Sequence, residues 1–103
     1  MIEELRHYVA VPGKRDALLA RFKNDTLALF ERHGIGVTSF WTVPAEPDTL
    51  YYMCRFDDLA ACKAAWKAFL SDPDWDALKT RTESNGPLVA SLKSTILEPV
   101  AGI

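Results

Sequence analysis

The spacing of apolar residues changes along this chain, from every second residue to helical spacing and back, and this limits its fold more than any other feature. Ile2 to Val11 alternates: Leu5, His7, Val9 and Val11 share one parity, and Glu4, Arg6 and Tyr8 share the other. A period of two is that of a strand. Pro12 and Gly13 stop it. From Lys14 to His33, Leu18, Phe22, Leu29 and Phe30 fall at helical spacing, and Gly34 supplies a left-handed cap. Gly36 to Val43 is rich in strand formers, Pro44 to Asp48 reads as a turn, and Leu50 to Phe56 as a third strand. Asp57 and Asp58 signal the start of a helix over Leu59 to Leu70. Asp72 caps and Pro73 opens a shorter helix ending near Thr82. Leu88 to Leu97 is the last strand, closed by Pro99.

The order β-α-β-β-α-β, joined by right-handed crossovers, predicts a ferredoxin-like α+β sandwich: a four-stranded antiparallel sheet with the helices on one face. At 103 residues the chain holds one core, so residues 1–103 are expected to be one domain. The second face of such a sheet is bare. Tyr8, Trp41, Tyr51, Tyr52 and Phe56 cannot all lie under the helices, because alternation sends some to each side. An aromatic patch of that size calls for a partner surface. A homodimer with two sheets facing one another, a dimeric α+β barrel, is the economical solution.

Composition narrows the functional classes. Twelve Lys and Arg against fourteen Asp and Glu give a net charge of -2, without the basic excess that phosphate binding uses, so no nucleic-acid partner is expected. No apolar run approaches the roughly 20 residues of a membrane span. The acidic start, Met1 to Glu4, is unlike a secretory or mitochondrial leader. Cys54 and Cys62 have no second pair or nearby histidine, which fits reduced thiols and a cytoplasmic protein.

Several motifs, in order, resemble the NIPSNAP family: Glu4, Leu5, Arg6 and Tyr8 followed by Pro12-Gly13; His33-Gly34-Ile35; Phe40-Trp41; Phe56-Asp57-Asp58-Leu59; Asp72-Pro73-Asp74-Trp75; and Thr95-Ile96-Leu97 with Pro99. The resemblance covers nearly the whole chain. It implies a dimeric α+β barrel, a superfamily of cofactor-independent monooxygenases, isomerases, haem-degrading enzymes and binding modules. It implies no particular reaction. Cys54 stands where many relatives have tryptophan, Cys62 where arginine is common, and Leu92 where a polar residue often lies. If those positions line a pocket, its contents differ here.

Glu4, Arg6 and Tyr8 form the sharpest constellation. As alternate residues of one strand they sit about 6–7 Å apart on one face. With Leu5 and Val9 under the helices, that face is expected to be the open one, lining the barrel between subunits. There Arg6 would bind an anionic group, Glu4 would move a proton, and Tyr8 would orient an oxygen. A structural Glu4–Arg6 ion pair with Tyr8 as packing explains the same residues and is the more ordinary reading. His7, of opposite parity, is a weaker candidate base and more simply a core or edge histidine. Trp41 and Tyr52 could wall a flat apolar ligand or serve as dimer core. His33 fits a helix C-terminus, and Trp66 and Trp75 fit helix packing. Neither histidine has partners at metal-ligand spacing, and there is no phosphate loop, so neither metal nor cofactor is expected. The function expected is binding of a small apolar or aromatic anion in or beside the barrel. A cofactor-independent oxygenase or isomerase, or a purely structural or regulatory dimer with a filled barrel, are the alternatives.

Overall fold

The computed structural model describes all residues, 1–103. Its strands are β1 (Ile2–Ala10), β2 (Gly36–Val43), β3 (Glu46–Phe56) and β4 (Val89–Leu97). They form one antiparallel sheet in the order β2-β3-β1-β4. Helices α1 (Arg15–Arg21) and α2 (Leu27–Arg32) are joined by a π-helical segment, Phe22–Thr26, into one continuous rod. Helices α3 (Leu59–Leu70) and α4 (Pro73–Thr82) follow β3. The ferredoxin-like topology expected from the alternating periods is the one observed.

The helix starts are set by side chains that satisfy free backbone donors. Asp58 accepts from the Ala61 amide at 2.8 Å, and Asp72 from the Asp74 amide at 2.8 Å with Pro73 in the first turn. Gly34 takes φ +75°, the left-handed conformation that ends α2 and frees the chain to enter β2.

Two details differ from the sequence reading. The β2–β3 turn is confined to Pro44 and Ala45, and β3 begins at Glu46 rather than Leu50. Pro47 is tolerated because β2 pairs Val43 with Glu46 and Thr42 with Leu50, so the intervening residues bulge away from the β2 ladder. The second difference is a reversal of faces. Ile2, Glu4, Tyr8 and Ala10 are buried under the helices, whereas Leu5, His7 and Val9 lie on the open face. Thus Arg6 points at the helices and not into a barrel between subunits. Pairing shows why. Glu4 lies opposite Cys54, Arg6 opposite Tyr52 and Tyr8 opposite Leu50, and those three β3 residues are fully buried core. Apolar residues occur on both faces of β1, so parity alone does not say which face meets the helices.

Register then sorts the aromatic residues into rows. Phe40, Tyr52, Arg6 and Ser94 cross the sheet on the helix side. Trp41, Tyr51, His7 and Lys93 cross it on the open side. His7 stacks on Tyr51 with ring centroids 4.6 Å apart. On the helix side Phe22, Phe30, Tyr52 and Phe69 make a chain of edge-on and tilted aromatic contacts at the centre of the core.

Candidate functional site

A cavity of about 350 Å³ lies between the sheet and the helices. Its floor is Arg6 and Tyr8 of β1 with Leu92 of β4. Its walls are Phe22 and Thr26 of the π segment, Phe30 of α2, Trp66 and Phe69 of α3, and Trp75 and Lys79 of α4. The π segment matters to this geometry. Phe22 and Thr26, four residues apart and both buried, share its cavity face, and Thr26 Oγ1 donates to the Arg21 carbonyl, five residues back, at 3.2 Å.

Arg6 is the polar centre. Its Nε donates to Tyr52 Oη at 3.2 Å, Nη1 to Glu4 Oε2 at 3.1 Å, and Nη2 to Tyr8 Oη at 2.9 Å. The guanidinium carbon sits 4.1 Å from the centre of the Trp66 ring, within cation–π range. Burial works against the Arg6 charge, but Tyr52 and Tyr8 hold it protonated, with its pKa above the ordinary arginine value. The two phenol oxygens are 2.8 Å apart. Burial, reinforced by Tyr8 and opposed by Arg6, keeps Tyr52 neutral well beyond the usual phenol range.

Glu4 stands behind Arg6, only 2% exposed, yet every donor around it is aimed at its carboxylate. Trp66 Nε1 donates to Oε1 at 2.6 Å, Ser94 Oγ donates to Oε2, and Cys62 Sγ lies 3.7 Å from Oε1. A buried carboxylate is stable when paired and fully hydrogen-bonded. The two cysteines flank it. Burial, with Glu4 adding to it, pushes the Cys54 thiol up to about 12 and raises Cys62 in the same direction.

A second cationic group guards the far wall. Arg21 donates to Glu83 Oε2 at 2.8 Å and to Thr82 Oγ1 at 3.2 Å, and its guanidinium carbon lies 5.1 Å from the Trp75 ring centre. Lys79 lines the cavity without a carboxylate partner. The cavity is thus an aromatic slot with cationic groups at its edges.

Of the residues singled out by sequence, Glu4, Arg6, Tyr8 and Tyr52 come together here. His7 and Trp41 do not; both lie on the open sheet face, Trp41 at 44% exposed. Trp66 and Trp75, read from sequence as helix packing, are cavity walls. Their apolar helix positions gave no sign of this, because the indole N–H of Trp66 is matched to a carboxylate 62 residues earlier in the chain. Arg21 carried no sequence signal at all. His33 Nε2 lies 2.7 Å from Asp72 Oδ2, bridging the end of α2 to the start of α4.

The comparisons with known proteins agree with this architecture. An uncharacterized NIPSNAP domain protein from Burkholderia xenovorans superposes with a TM-score of 0.84 at 21% identity, covering 100% of this chain and 98% of that one. A NIPSNAP family protein from Agrobacterium tumefaciens gives 0.84 at 20% identity, with 98% and 94% covered. A proposed antibiotic biosynthesis monooxygenase from Chloroflexus aurantiacus gives 0.61 at 25% identity, with 100% and 97% covered. No curated protein matches the sequence. The NIPSNAP family model matches residues 3–102, so the ordered motifs, the topology and the sequence match agree that this chain belongs to the NIPSNAP family.

Proposed function

We propose that the protein is a homodimeric binding module that holds a small aromatic anion in the cavity between its sheet and helices. The observation that carries this reading is the Arg6 guanidinium set in an aromatic slot of about 350 Å³. That volume is within the range of small-molecule sites, and an apolar wall with a few convergent polar groups is their usual make-up. A planar cation on an aromatic ring suits a flat ligand with an anionic end. The dimer is supported by the open sheet face, where Trp41, Tyr51 and Leu97 present apolar area that no helix covers. Two buried free thiols support a reducing, cytoplasmic setting.

A second reading is an enzyme. The likeness to proposed antibiotic biosynthesis monooxygenases supports a cofactor-independent oxygenase or isomerase acting on the same ligand in the same cavity. In that case Glu4, hydrogen-bonded to Arg6 and Trp66, is the candidate proton carrier.

Native mass spectrometry of the purified protein tests the binding reading. A dimer carrying one small molecule per chain is the expected result, and Arg6→Lys should release it while the protein stays folded. A ligand-free protein that also ignores a panel of aromatic carboxylates would reject the reading in favour of a structural or regulatory dimer.

A further inference from the structure

We propose that Tyr8 points its own hydroxyl hydrogen into the cavity and, with the unengaged N–H groups of Arg6, receives the proton-free anionic oxygen of an aromatic ligand, a carboxylate or a phenolate. This rests on the binding reading above and names the chemistry of the ligand's polar end.

Tyr52 is fully buried. Its oxygen has two polar neighbours: Arg6 Nε at 3.2 Å, which can only donate, and Tyr8 Oη at 2.8 Å. The Tyr52 hydrogen therefore goes to Tyr8, since the reverse assignment would leave a buried donor unmet. Tyr8 Oη then accepts twice, from Tyr52 and from Arg6 Nη2 at 2.9 Å, which fills both of its lone pairs. No protein acceptor remains for its own hydrogen, and Tyr8 lines the cavity.

Arg6 shares this character. Three of its donors are engaged, one each with Tyr52, Glu4 and Tyr8. A guanidinium has five, so one N–H on each terminal nitrogen is unengaged. Glu83, the one carboxylate lining the cavity, is paired with Arg21 at 2.8 Å. An oxygen without a proton satisfies these donors. An ammonium would face them with none of its hydrogens accepted.

The test is calorimetric titration of the intact protein with four aromatic probes: 2-naphthoate, 2-naphthylmethylammonium, 2-methylnaphthalene and 4-nitrophenolate in mildly alkaline buffer. Naphthoate is expected to bind more than about 10-fold tighter than the ammonium. Tyr8→Phe should lower naphthoate affinity about 10-fold and leave 2-methylnaphthalene unchanged. Naphthoate against nitrophenolate then says which anionic oxygen fits better. If Tyr8→Phe weakens both naphthoate and 2-methylnaphthalene equally, the hydroxyl only shapes the cavity and the proposal falls. If naphthoate keeps full affinity, it falls as well. Should Tyr8→Phe not fold, the wild-type preference decides: equal or tighter binding of the ammonium overturns the proposal while the binding cavity stands. If no aromatic probe binds, both this proposal and the binding reading fall.

Discussion

Glu4 ties two strands and a helix to one carboxylate. It accepts from Arg6 on its own strand, Trp66 on α3 and Ser94 on β4, and it sits opposite Cys54 on β3. Removing it leaves a largely buried guanidinium unpaired and an indole donor unmet. Glu4→Ala is therefore expected to lose about 3–5 kcal/mol in urea unfolding, the range for breaking a buried pair. Glu4→Gln should also destabilise, because its amide N–H₂ must face one of these donors. Unchanged unfolding midpoints in both variants would show that the cluster contributes nothing to stability. Sequence made the grouping of Glu4, Arg6 and Tyr8 legible, because strand period is fixed by geometry. It did not reveal which way the group faced. Leu5 and Val9 are apolar, as core residues are, but here they serve the open face. The burial of a charge depends on donors brought in from residues 66 and 94, which no local pattern encodes.

Elements are locked to one another at two points. At the first, Asp72 caps α4 and also receives His33 Nε2 at 2.7 Å and Arg32 Nη1 at 3.1 Å from the other helical rod. The hydrogen bond with His33, then the backbone amide of Asp74 and the contact to Arg32, hold the Asp72 carboxyl below its ordinary value of 3.8. A carboxylate with a lowered folded pKa adds stability above its unfolded pKa, and that stability is lost as pH falls through the folded value. The contribution of Asp72 is thus present at neutral pH and disappears below about pH 4. Asp72→Asn should be less stable than wild type at neutral pH, and the two should converge as the solution is acidified. Parallel pH profiles would contradict this. The second point is the π segment. Thr26→Val keeps the shape but deletes the hydroxyl that donates to the Arg21 carbonyl at 3.2 Å. A loss of about 1 kcal/mol is expected by chemical denaturation. The helix starts at Asp58 and Asp72 and the left-handed Gly34 were legible, since caps are local chemistry. The π turn was not. Phe22 and Thr26 share a face at ordinary α-helical spacing too, so the pattern from Lys14 to His33 looks the same with or without it.

At the scale of the molecule, the chain is a slab. Its principal extents are 47 × 36 × 19 Å, one sheet and one layer of helices thick. The face without helices carries the row Trp41, Tyr51, His7 and Lys93, with Leu97 at the edge strand. An apolar face left by a two-layer fold is covered when two copies pack sheet to sheet. Trp41→Glu should therefore shift sedimentation from dimer to monomer while circular dichroism stays native. A wild-type protein that sediments as a monomer at micromolar concentration would contradict the dimer. The architecture was legible from the sequence because the order of periods leaves few topologies open. The cavity was not, since it is assembled from five helical segments and two strands that meet only in the folded chain.

An aromatic anion is expected to enter the slot on the helix side and not the open sheet face. The three tryptophans report on this directly, because Trp66 and Trp75 line the cavity and Trp41 lies on the opposite face. In a proton–nitrogen correlation spectrum each indole N–H gives its own signal. On titration with 2-naphthoate, the Trp66 and Trp75 signals are expected to move together, saturably, while Trp41 stays in place. A shift confined to Trp41, or no shift of any indole, would contradict the account.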